Sequence, residues 1–231
     1  MTMSVLAGEV DVAYPQQPHV PTVLLLDVSK SMQGEPIAAM SQGFLTFLQE
    51  TARDPLAAKR VDLAVVTFGG AVTVAHSFAP VGAYSAMAFA AKGRTPMGEA
   101  IELGMRMLEE RKAQYRSEGT DYYRPWLFLI TDGEPTDMAP GDETWNRVTG
   151  ALQLGIRDRR FAFFAVGTGD ANMETLEAIC GPENPPLRLR GMAFRELFFW
   201  LSCSQRQVSA SHVGEQVAPP LPAPGAWADI S

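Results

Sequence analysis

Cysteine is scarce in this chain of 231 residues: Cys180 and Cys203 stand far apart, and neither belongs to a C-x-x-C pair. That excludes a disulfide framework and a thiolate zinc site. Histidine is nearly as rare; His19, His76 and His212 are separated from one another and from any evident nucleophile, and each reads as a surface residue. No apolar run approaches the ~18 residues that a membrane span needs. The N-terminus shows no basic stretch followed by an apolar core, so no secretory leader is expected. A soluble, cytoplasmic protein without membrane contact is the expectation. Positive charge is thin as well: 19 Lys and Arg against 26 Asp and Glu give a formal charge of −7. The cluster Arg157, Arg159 and Arg160 suits a solvated helix end, so nucleic acid is not an expected partner. Gly167-Thr168-Gly169 lacks the third glycine of a dinucleotide loop, and no G-x-x-x-x-G-K-[ST] occurs.

The 46% hydrophobic content is enough for one domain of about 200 residues with a sizeable core. Residues 1–20, with Pro15 and Pro18, read as an irregular lead-in, 21–208 as the domain and 209–231 as a Pro-rich tail. In that tail, Trp227 is the residue that would dock if the segment folded back. Short apolar runs alternate with helical periodicity. Strands are expected at Thr22–Leu26, Val61–Phe68, Val72–Phe78, Pro125–Ile130 and Phe161–Val166, with Leu187–Leu189 as a last edge. Helices are expected from Glu35 to Arg53, from Thr95 to about Tyr115, and over Glu143–Arg159, Met173–Cys180 and Ala193–Gln207. Gly69-Gly70 turns one strand into the next, which makes the third strand antiparallel and places it at an edge. The fold class is therefore α/β: a three-layer, doubly wound, mostly parallel sheet with one antiparallel edge strand.

The chain is organised around Val23-Leu-Leu-Leu-Asp-Val-Ser-Lys-Ser-Met-Gln-Gly34. A buried run stops at Asp27, and Ser29 and Ser31 follow at alternate positions. In open α/β sheets ligands bind at the carboxyl ends of strands. One carboxylate and two hydroxyls gathered there suit a hard cation such as Mg²⁺, which prefers oxygen ligands and keeps several waters. The plainer reading is that these residues cap the next helix. A second apolar strand ends in Thr131-Asp132-Gly133, and Thr95 stands before Pro96-Met97-Gly98, where it reads as a helix N-cap with Pro96 at the first position. If the two strands are neighbours where the strand order reverses, Asp27, Ser29, Ser31, Thr95 and Asp132 meet in one crevice.

The set D-x-S-x-S, a Thr before Pro-x-Gly, and Thr-Asp-Gly resembles the metal-ion-dependent adhesion site of von Willebrand factor A (VWA) domains, over roughly residues 20 to 205. The resemblance implies Asp27, Ser29, Ser31, Thr95 and Asp132 as the metal residues. It also implies Mg²⁺ (or Mn²⁺ or Ca²⁺) as the ion, and protein-protein interaction completed by an acidic side chain of a partner. Longer matches, including Gly34-Glu-Pro-Ile37 and Leu129-Ile-Thr-Asp-Gly-Glu-Pro-Thr-Asp137, are similar to the bacterial TerY group of tellurite-resistance and stress-response operons. That similarity implies a protein kinase and a metal-dependent protein phosphatase as partners. Lys30 departs from the family, which usually has Gly there; an outward-pointing side chain is expected, because Ser29 and Ser31 must face the ion.

Two other readings compete. In the first, Asp27 is the nucleophile or ligand of a metal-dependent phosphatase or hydrolase. Ser29 stands where such a site wants a second acid, and no general base can be named, so a non-enzymatic module is expected. The second is an adaptor that has lost its metal. Asp170-Ala-Asn172 resembles the start of a calcium loop but lacks its glycine and final glutamate, so it reads as a helix start. Glu134 and Asp137 read as solvated loop charges, the alternative being contact with the ligand or the metal's surroundings.

Overall fold

A computed structural model describes residues 12–214 and 226–230; residues 1–11 of the lead-in and 215–225 and 231 of the tail lie outside the described residues. The sheet is built from β1 (Val20–Asp27), β2 (Val61–Gly69), β3 (Ala71–Pro80), β4 (Trp126–Thr131), β5 (Ala162–Gly167), β6 (Leu187–Leu189) and β7 (Ala228–Ile230). The helices are α1 (Glu35–Ala52), α2 (Ala57–Arg60), α3 (Met97–Glu118), α4 (Glu143–Arg157), α5 (Met173–Cys180) and α6 (Phe194–Ala210). The strand order is β3-β2-β1-β4-β5-β6-β7. From β1 the chain first builds outward to β2 and β3, then returns across the sheet to β4, so the order reverses between β1 and β4. Strands β2, β1, β4, β5 and β6 run parallel, and β3 is the expected antiparallel edge.

All eight residues of β1 are buried, because helices cover both faces of the strand. Leu24 and Leu26 join Phe128 and Ile130 of β4 in the core under α1 and α6. Val23 and Leu25 join Leu127 and Leu129 in the core under α3, α4 and α5. Gly43 lets α1 approach α6 closely: a Cβ there would lie 2.7 Å from the Phe198 ring. The second edge differs from the sequence reading, which ended the sheet at Leu187–Leu189. Beyond it β7 pairs antiparallel with β6, Arg190 binds Asp229, and the indole of Trp227 packs 5.3 Å from that of Trp200. A three-residue strand held by contacts made nearly 40 positions away leaves no local period to read.

His19 is a further correction. Rather than lying on the surface it is 1% exposed and stacks on Tyr115 at 5.4 Å. Here, at the amino ends of β1 and β2, Tyr115 and Arg111 both hydrogen-bond Asp62, forming a buried ion pair on the opposite side of the sheet from the strand ends that hold Asp27. Burial lowers the imidazole pKa from 6.5, Arg111 and Arg60 add to that, and Asp62 opposes it. The unfolded chain takes up a proton near pH 6.5 and the folded chain does not until lower pH. The contribution to stability is therefore whole above 6.5 and is lost as pH falls from there through the lower folded value. The urea midpoint should drop between about pH 7.5 and about pH 5.5, and drop less in His19→Phe. Equal slopes in the two proteins would contradict this role.

Candidate metal centre

The crevice forms where β1 and β4 end side by side. Their register pairs Leu26 with Ile130, so Asp27 and Thr131 are the next residues on adjacent parallel strands. Asp27 is completely buried. Its Oδ1 accepts the Ser29 N–H at 2.8 Å, and its Oδ2 accepts the Thr131 hydroxyl at 2.5 Å. The chain then makes one 3₁₀ turn, Lys30–Met32, which brings Ser29 Oγ and Ser31 Oγ within 2.9 Å of each other. The Ser31 hydroxyl donates to Asp132 Oδ1 at 2.7 Å, joining two segments about 100 positions apart in sequence.

Thr95 comes from a third loop. A Cβ on Gly133 would lie 3.6 Å from Thr95 Oγ1 and 3.9 Å from Ser31 Oγ, so the three loops meet over that glycine. Thr95 N–H donates to Thr136 Oγ1, and Thr95 C=O accepts the Thr136 N–H. The expectation that Thr95 caps α3 does not hold: the helix starts at Met97, and no side chain of its own N-cap residue bonds it. The cap is Asp137, read from sequence as a solvated charge. Its two oxygens accept the N–H groups of Gly98 (3.1 Å) and Glu99 (2.8 Å) from across the crevice. A carboxylate at that position satisfies two orphan donors and opposes the positive end of the helix dipole. Nothing local announces it, because the capping residue lies 38 or 39 positions from the donors. Thr131 was also missed as a contributor, although it stands in the Thr-Asp-Gly triplet.

Glu134 likewise has a partner, Asn172 Nδ2 at 2.6 Å, and Asn172 caps α5 by accepting the Thr175 N–H, so this segment is the helix start expected rather than a calcium loop. Lys30 is exposed, as the spacing of the two serines requires. Burial raises the pKa of Asp27, with hydrogen bonds from Ser29 and Thr131 pulling it down and Asp132 adding to the rise. Asp132 is raised by burial and, less, by Asp170, against the hydrogen bond from Ser31.

The five residues expected from the sequence thus bring two carboxylates and three hydroxyls to the crevice, and Thr131 adds a fourth hydroxyl beneath them. Among the described residues no group of three or more His, Cys, Asp and Glu is arranged to hold a metal ion, and the oxygens gathered here are mostly hydroxyls. Such a set matches hard, oxygen-preferring cations. A cleft of about 450 Å³ between α4 and α5, lined by Gln153, Leu154 and Cys180, holds none of these residues.

A doubly wound domain with oxygen donors gathered at its switch point is a domain that receives its ligand on the rim of the sheet. The chain belongs to the von Willebrand factor type A domain family, whose model matches residues 22–196. Solved structures share the fold. The pilus adhesin SpaC of Lactobacillus rhamnosus GG aligns with TM-score 0.62 and 15% identity, covering 83% of this chain and 30% of that one. Manganese-loaded TRAP protein of Plasmodium vivax aligns with TM-score 0.52 and 18% identity, covering 78% and 73%. Proximal thread matrix protein 1 from the mussel byssus, with a zinc-occupied MIDAS motif, aligns with TM-score 0.51 and 17% identity, covering 82% and 48%. This chain spans less than half the length of the adhesin and of the byssus protein. No curated protein sequence matches it.

Replacing Asp137 with Ala should lower the melting temperature by about 2–4 °C, the effect of one lost cap in a domain of this size. Asp137→Asn should recover part of that. An unchanged melting temperature in Asp137→Ala would show that the cap is not structural.

Proposed function

We propose that Asp27, Ser29, Ser31, Thr95 and Asp132 hold one divalent cation, Mg²⁺ first and Mn²⁺ or Ca²⁺ as alternatives, and that an Asp or Glu of another protein completes its coordination. The observation that carries this reading is Asp27: a fully buried carboxylate with no cationic side chain paired to it among the described residues. An uncompensated buried charge costs several kcal/mol, and a second carboxylate nearby adds to the need for positive charge. A divalent ion in the crevice supplies it. The hydroxyls of Ser29, Ser31 and Thr95 are the direct contacts, and the carboxylates act through water. The metal-loaded TRAP and byssus structures support the reading by sharing the fold.

In this reading the protein is a binding module and not an enzyme. Both oxygens of Asp27 are engaged by Ser29 and Thr131, which leaves the group holding its loop instead of poised for attack. The TerY-like motifs extend the proposal to a cytoplasmic component of a bacterial stress or tellurite-resistance system. Its partners would be a protein kinase and a metal-dependent protein phosphatase. No helix among the described residues is long and apolar enough to cross a membrane, which is compatible with that setting.

Calorimetry with Mg²⁺ and Mn²⁺ should show one site in the native protein and none in Asp27→Ala. Equal binding by both proteins would remove the assignment. The combined Ser29→Ala and Ser31→Ala change should weaken binding of the partner kinase or phosphatase with the fold retained, and a chelator should weaken it in the native protein. Hydrolysis of a phosphate ester that Asp27→Ala abolishes would give the site to the enzyme reading.

A further inference from the structure

Three cations stand beside the crevice, and the backbone fixes where. Lys30 lies between Ser29 and Ser31, Arg94 precedes Thr95, and Lys92 sits two positions before Arg94. Their loops are bonded to one another: Lys30 N–H donates to Gly93 C=O (3.0 Å), Lys92 N–H to Val28 C=O (2.7 Å) and Gly70 N–H to Arg94 C=O (2.7 Å). Gly93 has φ +68° and packs against the backbone of Gly70 so closely that a Cβ would collide with it. The ledge is therefore made of interlocked main chain. All three side chains are exposed, and among the described residues none is in an ion pair. In a chain of formal charge −7 this is an uncompensated positive patch against the site.

The opposite side of the crevice has the other sign. Glu134 is exposed and tied to Asn172, and Asp170, also exposed, is close enough to Asp132 for its charge to act on it. The rim is thus basic on the side of the β1 and β2 ends and acidic on the side of the β4 and β5 ends.

We infer that the segment recognised at this rim is an acidic peptide of asymmetric charge: a central Glu or Asp, acidic neighbours on the side that meets Lys30, Lys92 and Arg94, and none on the side that meets Glu134 and Asp170. This rests on the metal-bridged reading above and adds which carboxylates are chosen. The metal gives every exposed carboxylate the same anchor, so discrimination among proteins has to come from the flanks. Each exposed pair contributes modestly, and the three together act as a network around one anchored residue.

The experiment uses the full chain with Mg²⁺ and three short fluorescent peptides sharing one central Glu. One is flanked on one side by acidic residues, one by Ser on both sides, and one by acidic residues on both sides. The one-sided peptide should bind most tightly. The combined Lys30→Ser, Lys92→Ser and Arg94→Ser variant should lose about tenfold on that peptide, lose much less on the Ser-flanked peptide, and bind Mg²⁺ by calorimetry no more weakly than the native protein. Raising the salt concentration should narrow the difference between these two peptides. Mg²⁺-dependent binding without a flank preference would overturn the ledge and leave the metal reading standing. A flank preference that survives a chelator would overturn the metal reading and leave the ledge. No binding of any peptide, or tighter binding of a single-stranded oligonucleotide of matched charge, would overturn this proposal.

Discussion

The structure turns on a carboxylate with no access to water. Asp27 ends β1, an inner strand covered on both faces, so the fold that places it also removes its solvation. Its neighbours answer that loss locally, with a main-chain N–H on one oxygen and the Thr131 hydroxyl on the other. These two bonds fix the direction of the loop after β1 and couple it to the end of β4. The positions of Ser29, Ser31 and Asp132 follow from that coupling. Hydrogen bonds from neutral groups offset part of the cost of a buried anion and leave its charge in place. The proposal that a divalent cation enters the crevice rests on the charge these bonds leave uncompensated.

The contribution of the loops is to convert sequence distance into contact. β1 and β4 deliver Asp27 and Asp132 as adjacent strand ends, and the α3 loop brings Thr95 against Gly133. Asp137 then pins the start of α3 to the loop that holds Asp132. A change in one loop is therefore felt by the others through bonds between main-chain and side-chain groups. The buried Asp62–Arg111 pair with Tyr115 lies at the other ends of the strands, and so its polar chemistry is kept apart from that of the crevice.

Much of this was legible in the sequence because its signals are local. Apolar runs such as Val23–Leu26 and Leu127–Ile130 have the length and composition of doubly covered strands, and Gly69-Gly70 marks the turn into the antiparallel edge. The spacing of Asp27, Ser29 and Ser31 at a strand end pointed to the crevice, and the structure brings Asp132 and Thr95 to it. What escaped was set by long-range contacts. Asp137 looked like any loop acid until α3 was seen to start opposite it. His19 looked like a surface residue until Tyr115 covered it. β7 is three residues with no period, and its existence depends on β6 and on Trp200. The short helix Ala57–Arg60 also went unread, being a single turn after Pro55.

The parallel pairing of β1 has a mechanical consequence. Anything gripping the crevice pulls along the axes of β1 and β4, because the gripped residues continue directly from those strands. β1 is in register with β2 over eight residue pairs and with β4 over five, so it is bonded along both edges. A pull in that direction loads the ladders in shear: many hydrogen bonds share the force and must give way together. A pull across the sheet at β7 would instead open three pairs one after another. The site thus sits on the longer ladders, and the short seams, β5–β6 with two pairs and β6–β7 with three, lie toward the far edge, away from the line of force.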